Sequence, residues 1–131
     1  MTGASPKQHE AFLRAYTACA LWSTHYANEV WNELPLDDGV HGTSPATALQ
    51  FKVDCRAFVD VHWETIEDGS CRPDGDPYEQ AGHDFWLNRN GHGAGFWDGD
   101  WAAPGADILD EASAAAGPVD LYVGGDKFIY H

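Results

Sequence analysis

The sequence predicts a single α+β domain with elements in the order α-α-ββ-α-ββ, in which helices cover an antiparallel sheet of two hairpins. Two segments open on Ser-Pro and continue with apolar residues at helical spacing, as amphipathic helices do. Two other regions place turn residues, at Asn90-Gly91 and at Gly124–Lys127, between short aromatic or aliphatic runs. A chain of 131 residues supports one core, so residues 1–131 are assigned to one domain.

The predicted helices follow from their caps and apolar stripes. The first begins at Ser5-Pro6, where Gln8 can complete a capping box, and its stripe is Phe12, Tyr16, Cys19, Trp22 and Tyr26. The second begins at Ser44-Pro45, and its apolar side is Ala48, Phe51, Cys55, Phe58, Val59, His62 and Ile66. The third runs from Pro104 to Ala116, turns Ile108 and Leu109 inward, and stops at Gly117-Pro118.

The first hairpin is predicted over residues 83–98, because Asn-Gly is the preferred dipeptide of a two-residue type I′ turn. That turn fixes the strand register, and one face is expected to be the core side. Its cross-strand pairs are His83 with Asp98, Phe85 with Phe96, Leu87 with Ala94 and Arg89 with His92. The opposite face carries Trp86 and Trp97. The second hairpin pairs Leu121–Val123 with Phe128–Tyr130, with Leu121, Val123, Phe128 and Tyr130 on one face.

The first hairpin supplies the candidate chemistry. His83 opposite Asp98, with Asp84 beside it, has the residue types of a general base and its orienting carboxylate. A structural His–Asp hydrogen bond is the commoner explanation of such a pair. Four further residues on the hairpin are candidates for binding a ligand or a partner: Trp86, Trp97, Arg89 and His92.

No cofactor and no metal site are predicted. The spacing of His83, His92 and His62 fits no standard zinc pattern, and the glycines after Asn90 lack the Lys-Ser/Thr of a phosphate-binding loop. Three widely spaced cysteines, with no Cys-x-x-Cys pair, favour reduced thiols over a disulfide framework.

The charge balance narrows the class of partner. Twenty-one Asp and Glu against seven Lys and Arg give a formal net charge of −14, which repels nucleic-acid backbones and anionic membranes. The apolar run near the start is too short to span a bilayer and lacks the basic flank of a secretion signal. We therefore expect a cytoplasmic protein whose partner is a protein or protein complex.

The segment Ala81–Asp98 includes the string GHDFWLNRNGHGAGFWD. It is similar to a signature of small proteins of bacteriophages and mobile elements, many of which have threonine at the position of Asn88. The similarity extends to Phe12–Ser23, to Asp54-Cys55 and to Leu121–Gly124. The resemblance implies a phage or mobile-element origin and brings no catalytic residues with it.

Two hypotheses follow. The first is a non-enzymatic accessory protein of a phage that binds a host macromolecule, with a defence system or a nucleic-acid-handling system as the expected target. In one version of this hypothesis, its carboxylates face a basic groove that normally holds nucleic acid. The second is a small hydrolase or nucleotide-binding protein, with His83 as base, Asp98 or Asp84 orienting it, and Trp86 or Trp97 stacking on a ring.

Overall fold

In a computed structural model, the chain is described at residues 3–23, 25–27, 33–35, 42–69, 75–91, 95–96, 101–123 and 128–130. Four helices account for most of these residues. They are α1 (Pro6–Ser23), α2 (Pro45–Gly69), α3 (Pro77–Arg89) and α4 (Gly105–Ala116). The predicted α+β fold built on a two-hairpin sheet is therefore wrong, because the protein is mainly helical.

The strands of the described residues are short and form two small sheets. Strands β1 (His25–Ala27) and β2 (Glu33–Pro35) pair antiparallel. The second sheet has the order β3-β5-β4, with β3 (Gly42–Thr43), β4 (Tyr122–Val123) and β5 (Phe128–Tyr130). Strand β3 runs parallel to β5, and β4 runs antiparallel to it.

The closing hairpin thus forms, but the residues that share a face differ from those predicted. Tyr122 lies opposite Tyr130, and their rings stack with centroids 5.6 Å apart, while Val123 lies opposite Ile129. The prediction had placed Val123 and Tyr130 on one face. A displacement of one residue in the pairing is enough to exchange the faces, because side chains alternate along a strand.

The first strand of the hairpin predicted over residues 83–98 lies in α3, and the ends of this helix explain why; most of the second strand lies outside the described residues. The Asp76 side chain caps the amino end by accepting a hydrogen bond of 2.8 Å from the Tyr78 backbone N–H, and Pro77 occupies the first turn. At the other end Asn90 is the carboxyl cap, and Gly91 follows with a φ of 67°. The Asn-Gly dipeptide therefore ends a helix here.

The remaining helices begin where the sequence predicted. Ser5 and Gln8 form the expected capping box, since the Ser5 N–H donates to Gln8 Oε1 (2.7 Å) and the Gln8 N–H donates to Ser5 Oγ (3.2 Å). Ser44 caps α2 by accepting a hydrogen bond of 3.1 Å from the Thr47 N–H. Among the stripe residues of α1, Phe12, Tyr16 and Cys19 are buried, but Trp22 is exposed.

Aromatic side chains from α1, α2 and α3 form the core. The rings of Phe58 and Phe85 stack with centroids 4.2 Å apart, and Phe12 and Tyr16 each lie within 6 Å of Phe85. Helix α3 is buried on most sides, through Tyr78, Ala81, Gly82, Asp84, Phe85, Trp86, Leu87 and Arg89. It is the central helix of the domain.

The contact between α1 and α3 requires a glycine. A Cβ atom at Gly82 would overlap the carbonyl oxygen of Phe12, so the two backbones touch there. In the described part of the chain, no helix is long and apolar enough to cross a membrane.

Candidate functional site

Arg89, a predicted ligand-binding residue, is buried at the carboxyl end of α3. Its side chain is 5% exposed, and Nη1 lies 3.1 Å from Asp54 Oδ2 on α2. The same Nη1 donates to the Tyr16 hydroxyl (3.1 Å), while Nε and Nη2 donate to the carbonyls of Gly117 (2.7 Å) and Ala116 (3.0 Å). The guanidinium thus ties α1, α2 and the end of α4 to α3, and its hydrogen-bonding groups are committed to the fold.

The asparagines beside Arg89 have the same role. Asn88 donates to Asp110 Oδ1 (2.9 Å) and accepts from the Phe96 backbone N–H (3.2 Å). Asn90 donates to the Trp86 carbonyl (2.8 Å) and accepts from the Val119 N–H (2.7 Å). The Asn88–Asn90 segment therefore positions its surroundings through side chains that make specific internal hydrogen bonds.

His83 and Asp84 do lie together, although as neighbours on a helix. His83 Nδ1 is 3.3 Å from Asp84 Oδ1, and the side chains are 47% and 3% exposed. The other carboxylate oxygen of Asp84 accepts from Gln80 Nε2 and Trp101 Nε1, both at 2.8 Å. Asp84 is thus a buried carboxylate held by three donors from its own chain.

The surroundings of His83 keep its imidazole protonated. Hydrogen bonding to Asp84, and then to the Cys19 thiol, raises the pKa of His83 from 6.5 to about 10, against the opposing effect of partial burial. A protonated imidazole has no free lone pair to accept a proton, so the raised pKa disfavours His83 as a general base. The geometry therefore favours a structural ion pair over a general base.

Of the remaining predicted site residues, the structure describes only Trp86. Trp86 is 1% exposed and donates its indole N–H to Ser23 Oγ at 2.8 Å, so it packs in the core. Asp98, Trp97 and His92 lie outside the described residues. The register that set His83 opposite Asp98 depended on a strand where the chain forms α3, so that pairing is withdrawn.

A second candidate region is an acidic face formed by the carboxyl half of α2 and by α4, which pack against each other. Beyond Arg56, α2 has four acidic residues and neither lysine nor arginine. Helix α4 has three acidic residues and likewise neither lysine nor arginine. The residues concerned are Asp60, Glu64, Glu67, Asp68, Asp107, Asp110 and Glu111.

Four of these carboxylates have no partner among the described residues. Glu64 and Asp68 on α2, and Asp107 and Glu111 on α4, are exposed and make no hydrogen bond or ion pair with other described residues. Both pairs have (i, i+4) spacing, at which like charges repel along a helix. We call these four residues the unpaired acidic face.

A groove of about 280 Å³ lies between α2 and α4, where the helices approach closely at Gly69 and Gly105. Glu64 and Asp68 stand on its α2 side and Ile108 on its α4 side. The other lining residues are mostly small or apolar: Thr65, Gly69, Ala102, Ala103, Pro104 and Gly105. Ile108 is 43% exposed, so the groove offers apolar surface next to two carboxylates.

The described residues include no group of three or more His, Cys, Asp or Glu side chains that could hold a metal ion.

Comparison with protein-family models, with curated proteins and with solved structures found no match to this chain.

Sequence reasoning missed the groove and half of the acidic face. The acidic side of α2 was visible as charge accumulating toward the carboxyl end of the second predicted helix. That α4, which carries Asp107 and Glu111, packs against α2 depends on tertiary contacts, which no residue spacing in the sequence reveals.

Proposed function

We propose that the protein is a small, acidic, non-enzymatic accessory protein that binds a basic surface of a host protein in the cytoplasm. The single observation that carries the proposal is the unpaired acidic face. Four exposed carboxylates on two adjoining helices make no ion pair with the lysines and arginines among the described residues. A host complex that normally holds nucleic acid in a basic groove is the kind of partner that this charge fits.

The acidic face is supported as a functional feature because it opposes the stability of the fold. Each (i, i+4) pair of like charges costs about 0.2–0.5 kcal/mol. Asp68 also lies in the last turn of α2, where the helix dipole disfavours an anion by roughly 0.3–1 kcal/mol. Local departures from the most stable choice are expected where a surface serves binding.

The resemblance to phage and mobile-element proteins supplies the biological setting of the proposal. A phage protein that occupies a basic nucleic-acid groove can inhibit a defence system without any chemistry of its own. Its association rate is raised by the attraction between opposite charges, which salt screens over about 8 Å at physiological ionic strength. Binding is therefore expected to weaken steeply as salt increases.

The alternative, a hydrolase or nucleotide-binding protein using His83, receives less support. The imidazole is held as a cation by buried Asp84, and Trp86 has no exposed ring face for stacking. A catalytic role for His83, Asp84 and Asp98 remains a prediction. Loss of turnover in His83→Gln, with an unchanged fold, is the result that would revive it.

The proposal is tested by affinity capture with charge-matched variants. Tagged wild-type protein, E64Q/D68N, D107N/E111Q and E10Q/E79Q are incubated with host lysate, and the retained proteins are quantified by mass spectrometry. Glu10 and Glu79 are exposed residues of α1 and α3 that flank Arg14, so E10Q/E79Q removes the same charge outside the acidic face. The captured partner is then purified, and its affinity for the protein is measured at salt concentrations from about 50 to 500 mM. Screening between charges becomes much stronger over this range.

We expect one specific basic partner, which E10Q/E79Q retains and the two face variants lose. Equal capture by wild type and both face variants, or affinity that does not change with salt, would overturn the proposal. Addition of duplex DNA separates the defence-inhibitor version from simple protein binding, because a partner bound through its nucleic-acid groove is released by DNA.

A further inference from the structure

We infer that the groove between α2 and α4 is the seat of one arginine side chain of the basic partner, with Glu64 and Asp68 binding the guanidinium and Ile108 contacting its aliphatic stem. The inference rests on the proposed function and gives it a specific contact. The inference distinguishes one specific contact, at the groove, from the long-range electrostatic attraction of the unpaired acidic face.

The shape and lining of the groove suit such a side chain. Arginine has an apolar stem and a planar cationic head, and it buries the stem along apolar surface while the head pairs with anions. In the groove, apolar surface from Ile108 and Pro104 lies beside the carboxylates of Glu64 and Asp68. Neighbouring (i, i+4) side chains have Cβ atoms about 6 Å apart, a spacing at which both carboxylates can reach one guanidinium.

The groove lies beside the point where the backbones of α2 and α4 come closest. A Cβ at Gly105 would approach the Thr65 methyl group to 3.3 Å, and one at Gly69 would approach the Trp101 ring to 3.2 Å. The two glycines let α2 and α4 cross tightly, and the groove opens beside the crossing. Beyond Arg56, neither helix carries a lysine or arginine that could neutralise Glu64 or Asp68, so among the described residues these two carboxylates are available to a cation of the partner.

Charge complementarity selects the occupant. An anion or a phosphate group is repelled by the two carboxylates, and a purely apolar group would leave them desolvated beside it without a partner. A lone inorganic cation gains nothing from the exposed apolar wall. A long cationic side chain satisfies both parts of the lining at once, and arginine does so with fixed geometry.

The test uses a fluorescein-labelled peptide of Gly-Ser repeats carrying four spaced arginines, titrated in fluorescence anisotropy at low salt. We expect wild type to bind it and E64Q/D68N to weaken binding about tenfold, the loss of roughly one charge-assisted contact. D107N/E111Q removes the same charge outside the groove and should weaken binding about two- to threefold through long-range attraction alone. Ile108→Ser changes no charge and should weaken binding about threefold through the lost stem contact.

Circular dichroism and thermal unfolding establish that each variant is folded, and Ile108→Ala serves if the serine variant is not. Equal losses in the two charge pairs, with Ile108→Ser like wild type, would overturn the groove while leaving diffuse binding by the acidic face intact. Failure of wild type to bind the peptide at all would also overturn the groove. The proposed function is judged separately, by the capture of a host protein with E10Q/E79Q as its control.

Discussion

Replacement of Arg89 tests the central contact of the fold. Arg89→Met keeps much of the side-chain length and its packing but removes the guanidinium. It leaves four acceptors without their donor: the Asp54 carboxylate, the Tyr16 hydroxyl, and the carbonyls of Ala116 and Gly117. The charge also lies over the Phe85 ring, 5.1 Å from its centroid, and that contact is lost as well.

The magnitude follows from the burial of these groups. Breaking a buried ion pair by removing one partner costs about 3–5 kcal/mol, since the remaining charge is left without compensation. Asp54 is 22% exposed and keeps a hydrogen bond of 2.8 Å from Gln50, so we expect a value near the middle of that range, about 4 kcal/mol. A domain of this size has roughly 5–15 kcal/mol of stability in total, so the variant should unfold easily.

Urea unfolding monitored by tryptophan fluorescence measures the change. Arg89→Lys retains the charge but not the fork of donors, and should lose less, about 2 kcal/mol. Asp54→Asn combined with Arg89→Met should cost less than the sum of the single changes, because both act on one ion pair. A loss below about 0.5 kcal/mol for Arg89→Met, typical of an exposed surface residue, would refute the buried network.

Three further outcomes are expected. Gly82→Ala should destabilise the protein by about 3 kcal/mol in urea unfolding, because the added methyl group meets the Phe12 carbonyl. The control Gly91→Ala should cost only about 1 kcal/mol, because Gly91 has a positive φ but open space around it. Equal losses in the two variants would contradict the close contact between α1 and α3. The pKa of His83 is raised to about 10 in the folded state, so its stabilising contribution is complete below pH 6.5 and is lost as the pH rises from there to about 10. Because the His83 side chain is nearly half exposed, solvent screening reduces this stabilisation to about 1 kcal/mol. It is measured as the difference in unfolding free energy between wild type and His83→Gln, which should disappear at high pH. A difference that does not depend on pH would count against the ion pair. Finally, E64Q/D68N should raise the thermal midpoint by relieving about 0.5 kcal/mol of repulsion, and a lowered midpoint would mean that the carboxylates have structural partners.

The sequence located α1, α2 and α4 correctly because each has an apolar side and recognisable ends, although Ile108, predicted to face inward on α4, is 43% exposed. Ser5 and Ser44 cap their helices as expected, and the buried Phe51, Phe58 and Ile66 of α2 follow helical spacing. A stripe of apolar residues at helical spacing appears only in a helix that has one buried side and one solvent-exposed side. These three helices lie at the surface of the domain, so their periodicity remains visible.

Helix α3 could not be recognised in the same way. It is buried on most sides, so its apolar residues show no single stripe, and its Phe85-Trp86-Leu87 run is typical of a strand. The Asn90-Gly91 pair is compatible both with a tight hairpin turn and with a helix end. The signals that favour the helix, Asp76-Pro77 at its start and Glu79 in its first turn, are present in the sequence.

The prediction of a hairpin in place of α3 also misplaced two candidate binding residues, Arg89 and Trp86. A hairpin has an exposed turn, so Arg89 beside it was expected at the surface, whereas a central helix carries Arg89 and Trp86 into the core. Side chains with all their donors used inside the protein cannot also read a ligand without unfolding the contacts that hold them. The described residues of the segment Ala81–Asp98 are thus explained by the requirements of the scaffold: a glycine for helix contact, aromatic residues for the core, and Asn88–Asn90 to fasten α4. The binding function that we propose therefore relies on exposed groups that the scaffold does not use, which are those of the unpaired acidic face.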